Sequence, residues 1–276
     1  VSEAVVQEVL EGLQGLPFEV VQLDDGWQQD MGDWEPNAKF PSGMPSLAVR
    51  IREAGYAPGL WMAPFIVRPS SRLYCEHPDW LLHDAQGELV PAGFNWGSPY
   101  YALDTTHPLV QAWLRGVIQR TVSWGYRYLK LDFLYAAALP GVRHENIPRE
   151  QAYREALRTV REAAGEDVYI LACGAPILPS LGLVDGLRIG PDVAPLWRNE
   201  DREDYLRDLT GPGGLNALRT SLHRLWLRPL VQTDPDVAYF RTRYNLLSPS
   251  QRQVLQDLAK VAGFLATSDP PQWLDP

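Results

Sequence analysis

Tyr126-Arg127-Tyr128-Leu129-Lys130-Leu131 runs straight into Asp132-Phe133. The stretch is short, rich in β-formers and ends on a carboxylate. The same design recurs on both sides of it. Residues 18–23 lead into Asp24-Asp25-Gly26-Trp27, and 57–62 into Ala63-Pro64-Phe65. Further on, 168–172 lead into Cys173-Gly174 and 186–189 into Gly190-Pro191-Asp192. Residues 228–232 lead into Thr233-Asp234-Pro235-Asp236, and 263–266 into Thr267-Ser268-Asp269. Helical spacing fills the intervals, predicting helices over 2–13, 46–54, 108–124, 148–164, 204–226 and 249–261. Ser46 and Ser248 are placed to cap, and Pro249 suits a first helical turn. Apolar strands alternating with helices predict a parallel sheet covered on both faces. No composition break or Gly/Ser linker divides residues 1–276, so the chain is expected to be a single domain.

Five of these seven strands deliver a carboxylate at the C-terminal end, the edge where parallel α/β folds place their ligands. One Asp there is an ordinary helix cap. Five on one rim crowd negative charge, which is costly unless a ligand, a metal or a mechanism uses it. Seven strands are also one short of a closed (β/α)8 TIM barrel. The chain opens with a helix, so a barrel reading implies a first strand missing upstream, and an N-terminally truncated domain.

Composition narrows the chemistry. The 276 residues carry 34 acidic against 25 basic side chains, a formal net charge of −9, which argues against a nucleic-acid partner. No apolar run is long enough to span a bilayer. Absence of a signal stretch gives a cytoplasmic expectation. Cys75 and Cys173 are too few for a disulfide framework. His77, His83, His107, His144 and His223 form no HxH or HExxH pair, and no GxSxG elbow occurs. Ten Trp and twelve Tyr offer flat rings that stack on sugar C–H faces, although the same rings also fill cores.

Three uses of the acidic rim compete. A divalent cation, Mg²⁺ above all, would suit oxygen ligands and would make the chain a metal-dependent lyase or isomerase, but no phosphate loop accompanies it. Glycoside hydrolysis needs two carboxyl groups about the anomeric carbon, one attacking and one delivering a proton. A structural use would pair some Asp residues, Asp236 and Asp269 first, with Arg188, Arg228 or Lys130. A non-catalytic carbohydrate-binding barrel remnant is a further alternative. It predicts Trp27 and Trp61 exposed on a flat face.

Five motifs taken together resemble glycoside hydrolase family 36 α-galactosidases. They are Leu23-Asp24-Asp25-Gly26-Trp27, Gly59-Leu60-Trp61-Met62-Ala63-Pro64-Phe65, Tyr128-Leu129-Lys130-Leu131-Asp132-Phe133-Leu134, Cys173-Gly174-Ala175-Pro176 and Arg188-Ile189-Gly190-Pro191-Asp192. Their order and spacing match the family across nearly the whole chain. The resemblance implies a (β/α)8 barrel and a retaining double displacement on terminal α-galactosides, without metal or organic cofactor. It implies Asp132 as nucleophile and Asp192 as general acid/base. Asp24 and Asp25 would bind galactose hydroxyls, chiefly the axial 4-OH and the 6-OH. Lys130 would bond ring hydroxyls, and Arg188 would sit on the 2-OH side. Trp61 would line the sugar, with Cys173 and Gly174 at the wall. The partner implied is a small oligosaccharide, and any homo-oligomer is expected to form through domains outside this chain.

The residues suit those roles. Lys130 and Asp132, two positions apart on one strand, face the same side. Lys130 and Arg188 are expected to favour an ionised Asp132. Asp192 must begin protonated, which calls for burial or a neighbouring carboxylate. Two departures stand out. The β domains that flank the barrel in the family's complete enzymes have no counterpart here, and Thr233 stands where the family pattern has Asn.

Overall fold

A computed structural model describes residues 1–201 and 204–274 of the chain. They form two compact units, Val1–Val184 and Asp185–Pro276.

The first unit is built on four parallel strands in the order Val20–Leu23, Ala57–Met62, Tyr128–Leu131, Tyr169–Ala172. The register sets Leu23 beside Leu60, Trp61 beside Lys130, and Leu131 beside Ala172. Leu60, Met62, Leu129, Leu131 and Ile170 are fully buried, which is what continuous apolar runs between two covered faces require. Gly59 lets its neighbours close in, since a Cβ there would lie 2.9 Å from Gln22 Cβ and 3.1 Å from the Tyr128 ring.

Helices Glu3–Gly12, Gly43–Glu53, Pro108–Ser123 and Arg149–Ala164 alternate with the strands, close to the spans read from the sequence. Arg149–Ala164 buries Ala152, Tyr153, Ala156, Leu157, Val160, Ala163 and Ala164, one face at helical spacing. Ser46 lies inside the helix Gly43–Glu53 rather than capping it, because the chain already turns at Ser42. Two small antiparallel pieces occupy stretches that carry no strand prediction. Gln28–Asp30 pairs with Asp33–Pro36, and Ile66–Val67, Ser98–Ala102 and Pro91–Asn95 form a three-stranded sheet with Ser98–Ala102 central.

The second unit pairs Gly186–Arg188 with Gln232–Asp234 in parallel, Arg188 beside Asp234. Helix Pro249–Ala262 starts with a full capping box, Ser248 against Gln251. Val193, Ala217, Tyr239, Leu247 and Leu255 make the core.

Three sequence expectations need correction in this unit. The strand expected over 228–232 is Gln232–Asp234, because Leu230 and Val231 both donate to the Leu227 carbonyl and close a turn. The strand expected over 263–266 reduces to one parallel bridge, Val237 with Ala266. Gly263 there is the left-handed cap of the preceding helix, and Phe264 still donates to Ala259. The helix expected over 204–226 is confined, among described residues, to Gly214–Arg224 and a 3-10 turn Leu225–Leu227. Gly211-Pro212-Gly213 precedes it, and Gly213 has φ 145°, outside helical range. No described helix is long and apolar enough to cross a membrane.

Candidate active site

In the first unit the site grows from the end of Tyr128–Leu131. Asp132 continues that strand by donating its N–H to the Met62 carbonyl. Phe133 then turns left-handed (φ 53°), which brings its own N–H back onto Asp132 Oδ1 at 2.7 Å. The other oxygen, Oδ2, accepts from the Trp61 indole at 3.1 Å. Trp61 sits one strand over and is only 2% exposed. Its carbonyl in turn accepts the indole N–H of fully buried Trp27 at 2.8 Å. Trp34 packs edgewise on Trp61, ring centroids 6.2 Å apart. These three tryptophans are therefore interior. Trp61 offers Asp132 an N–H, and the burial of Trp27 and Trp61 is incompatible with an open, flat binding face.

Asp24 and Asp25 follow the neighbouring strand Val20–Leu23. Asp24 Oδ2 takes the Lys130 ammonium at 2.7 Å and the Gln22 amide at 2.8 Å. Burial works to raise its carboxyl, but the Lys130 charge and hydrogen bonds from Lys130, the Asp25 N–H and Gln22 outweigh it. The net effect is a carboxyl held below its ordinary value. Asp25 is held by neutral donors, Gln28 at 2.7 Å on Oδ1 and the Trp96 indole at 2.6 Å on Oδ2.

Cys173 is buried (2% exposed) beside Leu131, whose carbonyl accepts its N–H. Gly174, with φ 54°, passes close to the turn after Asp132, a Cβ there reaching Phe133 N and Cα at 3.5 Å. Both thus face the backbone that carries Asp132.

Four aromatic residues absent from the sequence prediction complete this part. Phe133 lies 5.5 Å from Trp96, 5.3 Å from Tyr100 and 6.5 Å from Trp61, centroid to centroid. The Tyr135 hydroxyl donates to the Ala92 carbonyl at 2.8 Å, so in its 2.9 Å contact with Tyr100 it is Tyr100 that donates. Burial pushes the Tyr100 phenol up, and the negative charge of Asp132 adds to the rise. Tyr135 is raised by burial, by Tyr100 and by Asp132. Both hydroxyls therefore keep their protons at neutral pH. Phe133 stands in the motif that carries Asp132, and Trp96 is the centre of Asn95-Trp96-Gly97, a turn-forming triplet; Tyr100 and Tyr135 carry no such signal.

In the second unit Arg188 is the hub. Its guanidinium meets Asp234 Oδ2 at 2.9 Å through Nε, Asp236 Oδ1 at 2.8 Å through Nη2 and Asp192 Oδ1 at 3.1 Å through Nη1. Asp234 and Asp236 are buried, whereas the Asp192 side chain is 76% exposed, so of the two conditions expected to keep Asp192 protonated, burial is not met. Asp269 accepts the Phe240 and Arg241 N–H groups at 2.6 and 3.0 Å and pairs with Arg241 at 3.4 Å. The structural use foreseen for Asp236 and Asp269 thus holds, with Arg241 as the cation for the latter. Thr233, fully buried, donates its hydroxyl to the Ala262 carbonyl at 3.0 Å. Among the described residues no three His, Cys, Asp or Glu side chains gather into a metal-binding group.

Parallel strands flanked by helices and ending on carboxylates make an α/β fold with a parallel sheet, and this fold matches glycoside hydrolase barrel structures. The chain belongs to the melibiase family, whose model matches residues 2–160. The α-galactosidase of Thermus thermophilus, solved with p-nitrophenyl α-D-galactopyranoside, is 55% identical over the whole of this chain, with a TM-score of 0.94. This chain spans 56% of that one. The α-galactosidase AgaA of Geobacillus stearothermophilus is 45% identical over 76 residues, 25% of this chain and 10% of its own length. The fold alone is shared with α-galactosidase I of Mortierella vinacea, at 15% identity and TM-score 0.65 over 98% of this chain and 64% of that one.

Proposed function

We propose that the chain is the catalytic portion of a retaining exo-α-galactosidase acting on terminal α-D-galactosyl residues of small oligosaccharides. The observation that carries this reading is its 55% identity, over its full length, to a Thermus enzyme solved with an α-galactoside and with stachyose. In this reading the strands are those of a (β/α)8 barrel closed by a further strand, and the two units act as one catalytic domain. Asp132 is the nucleophile and Asp192 the general acid/base.

The local chemistry supports the first assignment. Two N–H groups fix both oxygens of Asp132 and leave lone pairs for attack on C1. Asp192 gives its proton to the departing oxygen as the C1–O bond breaks and the Asp132 ester forms. It then takes a proton from the water that breaks the ester, so the anomeric configuration is retained. Asp24, Asp25 and Lys130 bind ring hydroxyls, charge strengthening those bonds about twofold. Trp61, Cys173, Gly174 and Arg188 shape the wall. No cofactor enters the sequence of steps.

The test uses full-length protein and p-nitrophenyl α-D-galactopyranoside. Wild type should release the α-anomer of galactose first, followed by NMR. Asp132→Ala should lose turnover, and added azide should restore it as the β-galactosyl azide. An azide product of retained configuration from Asp132→Ala would exchange the two roles. A carboxyl separation above about 6.5 Å in a crystal structure would replace the retaining route by an inverting one.

A further inference from the structure

Trp96 sits where a bulky residue is least at home. It is the first of two turn residues joining Pro91–Asn95 to Ser98–Ala102, with φ 51° at Trp96 and 73° at Gly97. That two-residue turn favours Asn-Gly, because both positions need positive φ. A bulky side chain in the left-handed region is an outlier, and such residues concentrate at ligand clamps and active sites. The turn has adapted to it: Asn95 Oδ1 accepts the Trp96 N–H at 2.8 Å.

The strained backbone delivers an indole to a defined place. Its Nε1 donates to Asp25 Oδ2 at 2.6 Å across 71 positions of sequence. Its ring packs against both Phe133 (5.5 Å) and Tyr100 (5.7 Å), which also touch each other at 5.3 Å. Phe133 is itself left-handed, and its N–H holds Asp132. Two aromatic residues in a rare backbone conformation thus touch each other, one bonded to Asp25 and the other to Asp132.

We propose that Trp96 is a positioning residue that fixes the Asp25 carboxylate for a sugar hydroxyl. The inference rests on the α-galactosidase reading above and adds a residue to it. Without the indole N–H, Asp25 Oδ2 loses a fixed, charge-assisted bond and its carboxylate can rotate. Substrate binding weakens while the reacting groups stay intact, so the damage falls on KM more than on kcat.

Two variants of the full-length protein separate positioning from folding. Trp96→Phe keeps a ring against Phe133 and removes the N–H. Its kcat/KM for p-nitrophenyl α-D-galactopyranoside should fall about tenfold, mainly through KM, the loss expected for a hydrogen bond to a charged group. Trp96→Asn places the residue the turn prefers, so its melting temperature should stay level or rise while kcat/KM falls at least as far. In ¹⁵N-labelled protein, the indole resonance missing from Trp96→Phe should shift in Asp25→Asn, a readout that needs no substrate. The inference is overturned if Trp96→Phe stays within twofold of wild type, or if Trp96→Asn loses activity only in step with stability. An indole resonance unmoved by Asp25→Asn overturns it as well. A wild type inert toward α-galactosides removes the functional reading and this role together, and is told apart by wild-type protein alone.

Discussion

Replacing Arg188 by Met should destabilise the fold far more than removing a surface ion pair does. The guanidinium is 8% exposed and serves three carboxylates, of which Asp234 (2%) and Asp236 (9%) are buried and Asp192 (76%) is exposed. The exposed contact is worth at most about 1 kcal/mol, because water screens it and the side chain loses rotamer freedom. The two buried contacts decide the outcome. Removing one partner of a buried pair costs about 3–5 kcal/mol, since the remaining charge is left without compensation. Here two such charges remain side by side. Their other oxygens stay satisfied, Asp236 Oδ2 by the Val193 N–H at 2.6 Å and Asp234 Oδ1 by the Asp236 N–H at 2.7 Å. That keeps the expected loss near the range for one broken pair, about 3–5 kcal/mol. At about 2–4 °C per kcal/mol for a chain of this size, Arg188→Met should melt roughly 6–20 °C below wild type. Circular dichroism melts and urea unfolding measure it. Adding Asp234→Asn and Asp236→Asn to the Arg188→Met protein should recover part of the loss, the coupling a mutant cycle reports. A deficit under about 1 kcal/mol, or an equal deficit in Asp192→Ala, would refute the reasoning.

Trp61→Phe keeps a buried ring and the carbonyl that Trp27 uses, but it strips one N–H from Asp132. Turnover of α-galactosides should drop about tenfold, the size expected for one bond to a charged oxygen, and the cavity left by the smaller ring should lower the melting temperature modestly. The Asp24–Lys130 pair gives a pH signature. The folded carboxyl lies below the ordinary value of 3.8, so its stabilisation is complete above that value and fades as the pH falls below it. Lys130→Met should therefore flatten the acid limb of the stability profile below about pH 4. An acid limb identical to wild type would remove Lys130 as the cause. Asp24 is half exposed, so the effect should also weaken at high salt.

What the sequence disclosed depended on how much of each element's cause was local. The strands Ala57–Met62 and Tyr128–Leu131 fall within the short runs expected over 57–62 and 126–131, where length and β-forming residues mark a strand. The strand Gln232–Asp234 was displaced because Leu225–Leu227 winds into a 3-10 turn whose Leu227 carbonyl captures two following N–H groups. Composition does not show such a capture. Residues 263–266 are apolar too, yet helix closure at Gly263 takes their backbone groups. The sheet Pro91–Asn95/Ser98–Ala102 was hidden by Pro91, Gly93, Gly97 and Pro99, which break any alternation. With it went Trp96 and Tyr100, whose partners Asp25 and Tyr135 are 71 and 35 positions away. Asp24 and Asp132 were visible because each follows its strand directly, Val20–Leu23 and Tyr128–Leu131. The cations of the rim carboxylates were visible only in part, Lys130 and Arg188 lying on strands and Arg241 on a loop.

The donors on each carboxylate sort the acids by the work they can do. Asp24 faces an ammonium, Asp234 and Asp236 share a buried guanidinium, and Asp269 has Arg241. A cation at hydrogen-bond distance lowers the energy of the carboxylate and draws charge from its oxygens, which suits holding a loop or a hydroxyl and blunts attack on carbon. Asp132 differs: its two hydrogen bonds come from an indole and an amide N–H, neutral donors that orient the oxygens without neutralising them, which suits the nucleophile role proposed for it. Asp25 is held in the same neutral way, by Gln28 and Trp96. Ten of the chain's residues are Trp, and two of them give their indole N–H to these two carboxylates. An indole is large enough to be locked by packing and carries one donor and no acceptor, so it fixes a carboxylate without neutralising it. On this argument Trp61 and Trp96 serve Asp132 and Asp25 through their N–H groups rather than through open ring faces.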